Sequence, residues 1–412
     1  MAPLPPEPEP AGPVRVLHVI GGVSATFGGP TVALLELLRL MAGTPAACAV
    51  AVVAADRADE SVLQELRATG AAVTSFPRER FHPAQFSGAF SRALPRLLAG
   101  CEVAHIHSMW SWGPYWGLRC AQRQGIPAVI RPAGALDPFD LRKHAPAKRL
   151  LGPLFLRRLF RPPNVFHCTA RREAARLESY GGDAKRLVLP LPIAAGPRPQ
   201  DATRAAARAA LGLAPGDRAL LFLGRLNYKK GIDLILRAMA RPEAAGTCLL
   251  LAGDGDSAIK GEIARLTAEF WLAERIRTLG FVGGGDKTRL LQASDLLVLP
   301  SMNENFGVSV VEALQASLPV LISDEVYIAD DIQGSRAVGV CVRSAESVAR
   351  GIAALTGDPS QREALGREAR AVWEQRYSPE VLRPAYLRLY RRLDGDNQIA
   401  AAGRTVQHAP RR

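Results

Sequence analysis

Short apolar runs alternate with longer helical stretches along this 412-residue chain, and the alternation occurs twice. "VRVLHVIGG", "ACAVAVVAA", "AAVTSF", "VAHIHS" and "AVIRPA" are separated by segments such as "PTVALLELLRLMAG" and "GLRCAQRQG". After residue 195 the pattern restarts with "RALLFLGR", "TCLLLAGDG", "IRTLGFV", "DLLVLPS" and "PVLISD". A strand that is apolar on both faces must be covered on both, and strands joined by helices run parallel. The expected fold class is therefore α/β: two doubly wound, Rossmann-like parallel-sheet domains facing a cleft. The Pro- and Ala-rich "LPLPIAAGPRPQDATR" reads as the linker between them. The expected boundaries are an unstructured lead-in over 1–13, an N-terminal domain over 14–195 and a C-terminal domain over 196–376. A C-terminal helix over 377–393 is expected to return to the N-terminal domain, followed by an unstructured tail over 394–412. In such sheets, ligands bind beyond the carboxyl ends of the strands.

Composition narrows the function classes. The six cysteines are scattered without a Cys-x-x-Cys pair, which argues against a disulfide framework or zinc site and suits a reducing cytoplasm. The opening "MAPLPPEPEPAGP" is acidic and Pro-rich, the reverse of a signal peptide, and no apolar run is long enough to span a bilayer. The net charge of +13 raises nucleic acid as a partner. Most arginines, however, lie beside glutamates, and no basic and aromatic interleaving suited to stacking bases occurs, so nucleic acid is not expected. One exception to the spread is residues 141–163, "LRKHAPAKRLLGPLFLRRLFRPP", where seven cations and no acid are interleaved with Leu and Phe. Such a segment reads either as a core helix with a solvated basic edge or as a peripheral contact with an anionic membrane.

The motifs lie at the expected ligand edge. In "SMNENFGVSVVEALQASLPV", residues 301–320, the acids Glu304 and Glu312 flank Phe306-Gly307 at the start of a helix expected from about Gly307 to Ser317. A helix N-terminus offers unpaired amides to phosphate or sugar oxygens, and Gly307 permits close approach. Eight helical residues rise about 12 Å, so the two acids would hold opposite ends of an extended ligand. Carboxylates suit the hydroxyl pairs of a ribose or sugar ring. Two acids alone read equally as a solvated loop residue and a surface residue. In "FLGRLNYKKGID", Arg225 ends a strand and Lys230 precedes a helix, a placement that neutralises a diphosphate without a metal. In "GGVSATFGGPTVALLELL", Gly28 and Gly29 form a turn before the first helix, and no dinucleotide fingerprint is present. The "DGD" at residues 254–256 fits a turn after a strand rather than a metal-binding acid pair.

With those elements in order, the chain resembles the retaining glycosyltransferases of family 4, which have the two-domain GT-B fold. The resemblance rests on "GGPTVALLELLRLM", "HIHSMWSWG", "IRPAGALDPF", "FLGRLNYKKGIDLILRA", "LAGDGD", "DKTRLLQASDLLVLPSMNENFGVSVVEALQASLPV" and "RYSPEVLRPAYLRLY". It covers most of residues 14–393, and the E-x7-E element with "NFG" inside it is its most specific piece. The resemblance implies that Glu304, with Asn305, Phe306, Gly307 and Val308 after it, holds the donor sugar. It implies that Glu312 binds the ribose and that Arg225 and Lys230 hold the diphosphate, with Gly28 and Gly29 approaching it from the other domain. Ala133 stands where such enzymes often carry a histidine, and "LPLPIAA" replaces a "PNG" of the family. His107, ending the preceding strand beside His105, is then the candidate to share the catalytic role with Glu304. The implied activity is transfer of a sugar from a nucleoside-diphosphate sugar to a hydroxyl with retention, in polysaccharide or glycolipid assembly. The acceptor would be a glycan or lipid-linked molecule at the cytoplasmic membrane face. No cofactor and no metal are expected. A nucleotide-sugar epimerase and a non-catalytic nucleotide-sugar-binding protein remain as alternatives.

Overall fold

A computed structural model describes residues 12–23, 29–54, 59–79, 85–137, 164–180, 184–196, 201–214 and 216–406. Gly28 and the basic stretch 141–163 lie outside the described residues, as does most of the lead-in. The first half runs β1 (Val14–Ile20), α1 (Gly29–Met41), β2 (Ala46–Ala54), α2 (Glu60–Ala68), β3 (Ala72–Pro77), α3 (Gly88–Leu98), β4 (Val103–His107) and α4 (Trp112–Gln124). It continues with β5 (Ala128–Arg131), β6 (Val165–Cys168), α5 (Arg171–Glu178) and β7 (Lys185–Val188). The second half holds α6 (Asp201–Ala210), β8 (Arg218–Leu223), α7 (Ile232–Met239), β9 (Thr247–Ala252), α8 (Ser257–Glu269), β10 (Ile276–Gly280), α9 (Gly284–Ala293) and β11 (Leu296–Leu299). It ends with α10 (Val308–Gln315), β12 (Val320–Ser323), α11 (Ala329–Ile332), β13 (Val338–Cys341), α12 (Ala345–Thr356), α13 (Pro359–Arg376) and α14 (Pro379–Val406).

The strands form two parallel sheets, ordered β3-β2-β1-β4-β5-β6-β7 and β10-β9-β8-β11-β12-β13. The fold class is the expected one. In each sheet the strand order reverses between the first strand and a later one, at β1/β4 and at β8/β11. Those switch points open the crevices in which ligands bind. Both sheets are built from strands such as β4, β8 and β9, buried along nearly their whole length because helices cover both faces.

In the first sheet, Leu17, Val19, Ala104 and Ile106 pack under Phe90, Leu94 and Leu118 of α3 and α4. The opposite face, through Val16, Val103, Val129 and Val165, packs against Leu382, Tyr386, Leu389 and Tyr390 of α14. The chain's last helix therefore crosses back onto the N-terminal sheet. It also corrects one expectation, because α14 continues to Val406 instead of giving way to an unstructured tail at residue 394. The stretch after 394 contains Ala400, Ala401 and Ala402, strong helix formers, and its Gly395 and Gly403 weaken a helix without stopping it. Among the described residues, no helix is long and apolar enough to cross a membrane.

Candidate active site

Glu304 and Glu312 lie on different elements. Only Glu312 is helical, in the second turn of α10, whereas Glu304 sits in the preceding loop and forms an isolated β-bridge with Val326. The loop is pinned there by Glu304 N–H donating to Glu325 O (3.2 Å) and Tyr327 N–H donating to Glu304 O (2.9 Å). A purely helical rise between the two acids therefore does not apply. Gly307, at the N-cap, has φ +76°, a left-handed conformation open to glycine without strain. A side chain there would also meet Val310 Cγ2 at 3.1 Å. Phe306 is buried and packs edge-on against Tyr377, which anchors the loop from below.

Each acid is held by a lysine. Lys230 Nζ pairs with Glu304 Oε2, both side chains about one-quarter to one-fifth exposed at 24% and 20%. Lys287 Nζ, from α9, reaches Glu312 Oε1 at 2.7 Å. Burial pushes the Glu312 carboxyl above its ordinary range, and Lys287 opposes that shift. Lys230 is positioned by a short 3-10 turn whose N-cap, Asn227, accepts from Lys229 N–H (3.1 Å). Gly231 closes the turn at φ +70°, where a side chain would lie 2.3 Å from Pro300 O. Arg225 is exposed just after β8, and Gly29 opens α1 with nothing within 4 Å of an added Cβ among the described residues. The acid pair of "DGD" is structural: Asp254 pairs with Lys260 at 2.6 Å, and Asp256 caps α8 by accepting from Ile259 N–H.

The two halves meet beside this loop. Arg172 grips Asp330 through Nη2 (2.6 Å) and Nε (2.8 Å), and Arg171 Nε meets Asp331 at 2.5 Å. Tyr327 donates to Asp137, while the Arg176 guanidinium lies 4.7 Å from the Tyr327 ring centre and bonds Asp137 at 2.6 Å. Asn305 Nδ2–H donates to Thr169 Oγ1 at 2.9 Å. A small cavity between the halves is lined by Gly134, Asp137, Glu173, Arg176, Asn305 and Tyr327, among others. Glu173 is buried, and desolvation raises its carboxyl above the ordinary range against the pull of four hydrogen bonds. Neither Glu173 nor Lys287 stood out in the sequence. Their roles come from pairings 136 and 25 residues apart in the local network, through Thr169–Asn305 and through Glu312.

The structure brings His107 elsewhere. It lies with His18, His105 and His167 in a fully buried polar layer between the N-terminal sheet and α14. His18 Nδ1 and His107 Nε2 are 3.0 Å apart. His167 Nε2 donates to Leu189 O at 2.7 Å, so His167 Nδ1 accepts from His105 Nε2–H at 3.4 Å. That leaves His105 Nδ1 as acceptor for the Tyr390 hydroxyl at 2.9 Å, an ordered chain of neutral rings. Burial, with the buried Arg131 guanidinium nearby, depresses all four imidazoles, His18 and His167 to about 3. The ring nitrogens of His18, His105 and His107 lie within 4.8 Å of one another, but the adjacent Arg131 charge disfavours a cation among them. An enclosed neutral imidazole of this kind cannot touch a sugar in the cleft unless the layer opens. Ala133 stays at the cleft, held at φ +53° next to Gly134 at +77°.

Comparison with known proteins places the chain among glycosyltransferases. Residues 203–372 match the family model for glycosyl transferases group 1, and residues 28–192 match that for a glycosyl transferase 4-like domain. The D-inositol 3-phosphate glycosyltransferase of Segniliparus rotundus is 32% identical over 322 residues, 74% of this chain and 70% of that protein. Its namesake from Nocardia farcinica is 32% identical over 210 residues, 49% of this chain, and the match spans 46% of that relative's length. Among solved structures, HepE of Anabaena in complex with UDP and glucose superposes with a TM-score of 0.76 at 16% identity, covering 91% of this chain and 99% of that one. At that identity the likeness is one of GT-B fold.

Proposed function

This chain belongs to the group 1 glycosyl transferases, and we propose that it moves a hexosyl group from a nucleoside-diphosphate sugar to an acceptor hydroxyl with retention of configuration. The observation that carries the reading is the pair of lysine-held carboxylates, Glu304 and Glu312, on either side of the α10 N-terminus. In the ligand-free site these groups satisfy one another. A donor would exchange into both pairs, its diphosphate taking Lys230 together with Arg225 and the α10 amides, its ribose hydroxyls taking Glu312. Glu304, released from Lys230, would then face the sugar. Charge developing on the leaving diphosphate is stabilised by those cations and amides, so the chemistry calls for no metal. The leaving phosphate itself would accept the acceptor's proton on the same face of the sugar, which preserves configuration and needs no protein nucleophile.

The solved HepE complex contains UDP and glucose, and the inositol-phosphate enzymes act on a polyol phosphate, which supports a nucleotide-sugar donor and a hydroxyl acceptor here. An acceptor in polysaccharide or glycolipid assembly, met at the cytoplasmic membrane face, is supported by the basic, leucine-rich sequence of residues 141–163. The test is a panel of nucleoside-diphosphate sugars assayed for slow donor hydrolysis, followed by proton NMR of the first transfer product. Release of nucleoside diphosphate with a retained anomeric configuration is expected. Inversion would overturn the mechanism. An isomerised donor would make the chain an epimerase, and nucleotide binding without turnover would make it a binding protein.

A further inference from the structure

We infer that Glu173 and Thr169 form a positioning relay that reaches across the cleft and sets the amide of Asn305, so that its oxygen receives a hydroxyl of the bound sugar or acceptor. The inference rests on the proposed donor site, since Asn305 follows Glu304 in the loop that would hold the sugar.

Polarity fixes the direction of the relay. An ionised carboxylate only accepts. Glu173 Oε2 receives Thr169 N–H at 2.7 Å and the Thr169 hydroxyl at 3.1 Å, while Oε1 receives Gly134 N–H at 3.1 Å. Because the Thr169 hydroxyl spends its proton on Glu173, its oxygen is left to accept, and Asn305 Nδ2–H supplies that bond at 2.9 Å. The amide cannot turn over without facing one acceptor with another. Its oxygen, Oδ1, therefore points away from Thr169, and it is buried without a hydrogen-bond partner among the described residues. A buried carbonyl oxygen without a partner costs free energy that a ligand hydroxyl would recover. Asn305 also lines the cavity between the halves together with Glu173 and Gly134.

The same carboxylate staples the turn opposite. Ala133 and Gly134 are both left-handed, and Gly134 N–H is the group that Glu173 binds. A side chain on Gly134 would stand 3.2 Å from Asn305 Cβ, so the turn and the donor loop approach as closely as backbone allows. Glu173 thus holds both walls of the cleft, Gly134 directly and Asn305 both by its own pull on the amide and through Thr169. It touches no part of the expected donor, and it acts on the reaction through Asn305.

Thr169→Val, Thr169→Ser and Glu173→Gln separate this role from simple support. Valine keeps the shape of threonine and loses the hydroxyl, whereas serine keeps the hydroxyl. Misplacing one ligand-facing group costs on the order of 10- to 100-fold in rate, and that fall in kcat is expected for T169V and E173Q. Nucleoside diphosphate affinity should stay within about twofold of wild type in both, because ribose and diphosphate contacts do not pass through the relay. T169S should restore most of the rate. An active wild type whose T169V and E173Q variants keep kcat within about twofold would overturn the relay alone. A wild type that neither transfers nor hydrolyses any nucleoside-diphosphate sugar would overturn the reading of the donor site, and the relay with it.

Discussion

Glu312 is a largely buried carboxylate whose charge is supported by one lysine. Burial raises its pKa and Lys287, at 2.7 Å, works against that rise. Replacing Lys287 by methionine removes the opposing charge and raises the pKa further. In the proposed donor complex, ribose hydroxyls are held by the ionised form, which is present above the folded pKa and lost as pH falls through it. In Lys287→Met that loss moves to higher pH. Nucleoside diphosphate affinity at neutral pH should fall by about 1–2 kcal/mol, roughly tenfold, and return as the pH is raised. Titration calorimetry at several pH values measures this, and a pH-independent affinity in the variant would remove Glu312 from the ribose. Ala133 supports a second prediction at this scale. Its φ of +53° strains any residue with a Cβ by about 1–2 kcal/mol, against a glycine entropy cost of about 0.5–1 kcal/mol. Ala133→Gly should therefore stabilise the fold by about 0.5–1 kcal/mol in denaturant titrations, and a loss of stability would show that the turn is unstrained. A left-handed backbone is tolerated better by histidine than by alanine, which fits the histidine that the resemblance implies at this position.

At the scale of elements, α14 is fixed to the sheet by two tyrosines as well as by its apolar face. The Tyr390 hydroxyl meets His105 at 2.9 Å, and the Tyr386 hydroxyl donates to Pro190 O at 2.9 Å with His167 Nε2 at 3.2 Å. Tyr390→Phe leaves His105 Nδ1 buried without a partner, so it should cost about 1–3 kcal/mol. Hydrogen exchange in α14 should rise with that loss, and unchanged protection would mean the helix is held by packing alone. The sequence pattern disclosed this helix and ten of the thirteen strands among the described residues, because each carries an apolar run or a clear period. It missed β6 "VFHC", β7 "KRLV" and β13 "VGVC", whose short apolar runs are interrupted by His167, by Lys185-Arg186 and by Gly339. β7 is also an edge strand with Lys185, Leu187 and Val188 exposed, so no burial pattern marks it. The loop from Glu304 to Gly307 was legible because strand, loop and helix are contiguous in sequence. Lys287 was not, because the packing of α9 brings it to Glu312, and Glu173 was not, because its link to the Glu304 loop runs through Thr169, whose partner Asn305 lies 136 residues away.

Over the whole molecule, the histidine layer joins parts of the chain that are far apart in sequence: β1, β4, β6, the segment at Leu189–Pro190 and the returning α14. All four rings are neutral in the fold, His18 and His167 with pKa values lowered to about 3 and His105 and His107 well below the ordinary 6.5. Arg131, whose guanidinium is buried in the same layer, adds to the cost of charging any of them. A base whose folded pKa is depressed gives its full stability above the unfolded pKa and loses it as pH falls toward the folded one. The unfolded chain then binds protons that the fold refuses, so stability must fall with pH below about 6.5. One unit below that pH each ring costs about 1.4 kcal/mol, and four acting independently cost about 6 kcal/mol. Glu173 and Glu312, whose pKa values are raised, act in the opposite sense and recover part of this loss as they take up protons. The balance still favours the histidines, four against two, through the window in which their unfolded counterparts titrate. Denaturant titrations from about pH 7.5 to pH 5.5 should therefore show a loss of several kcal/mol, a large share of the stability of an ordinary domain. The loss should be shared by probes in both halves, because α14 follows the C-terminal domain directly and seals the N-terminal sheet. His105→Phe with Tyr390→Phe removes the His105–Tyr390 pair and leaves His167 Nδ1 without its donor, so it costs stability at neutral pH, but with one ring fewer to refuse a proton the acid slope should become shallower by about one proton. A wild-type stability that stays level across this range would mean that the four rings are not held neutral, and the layer would not be the dry seal that its geometry describes.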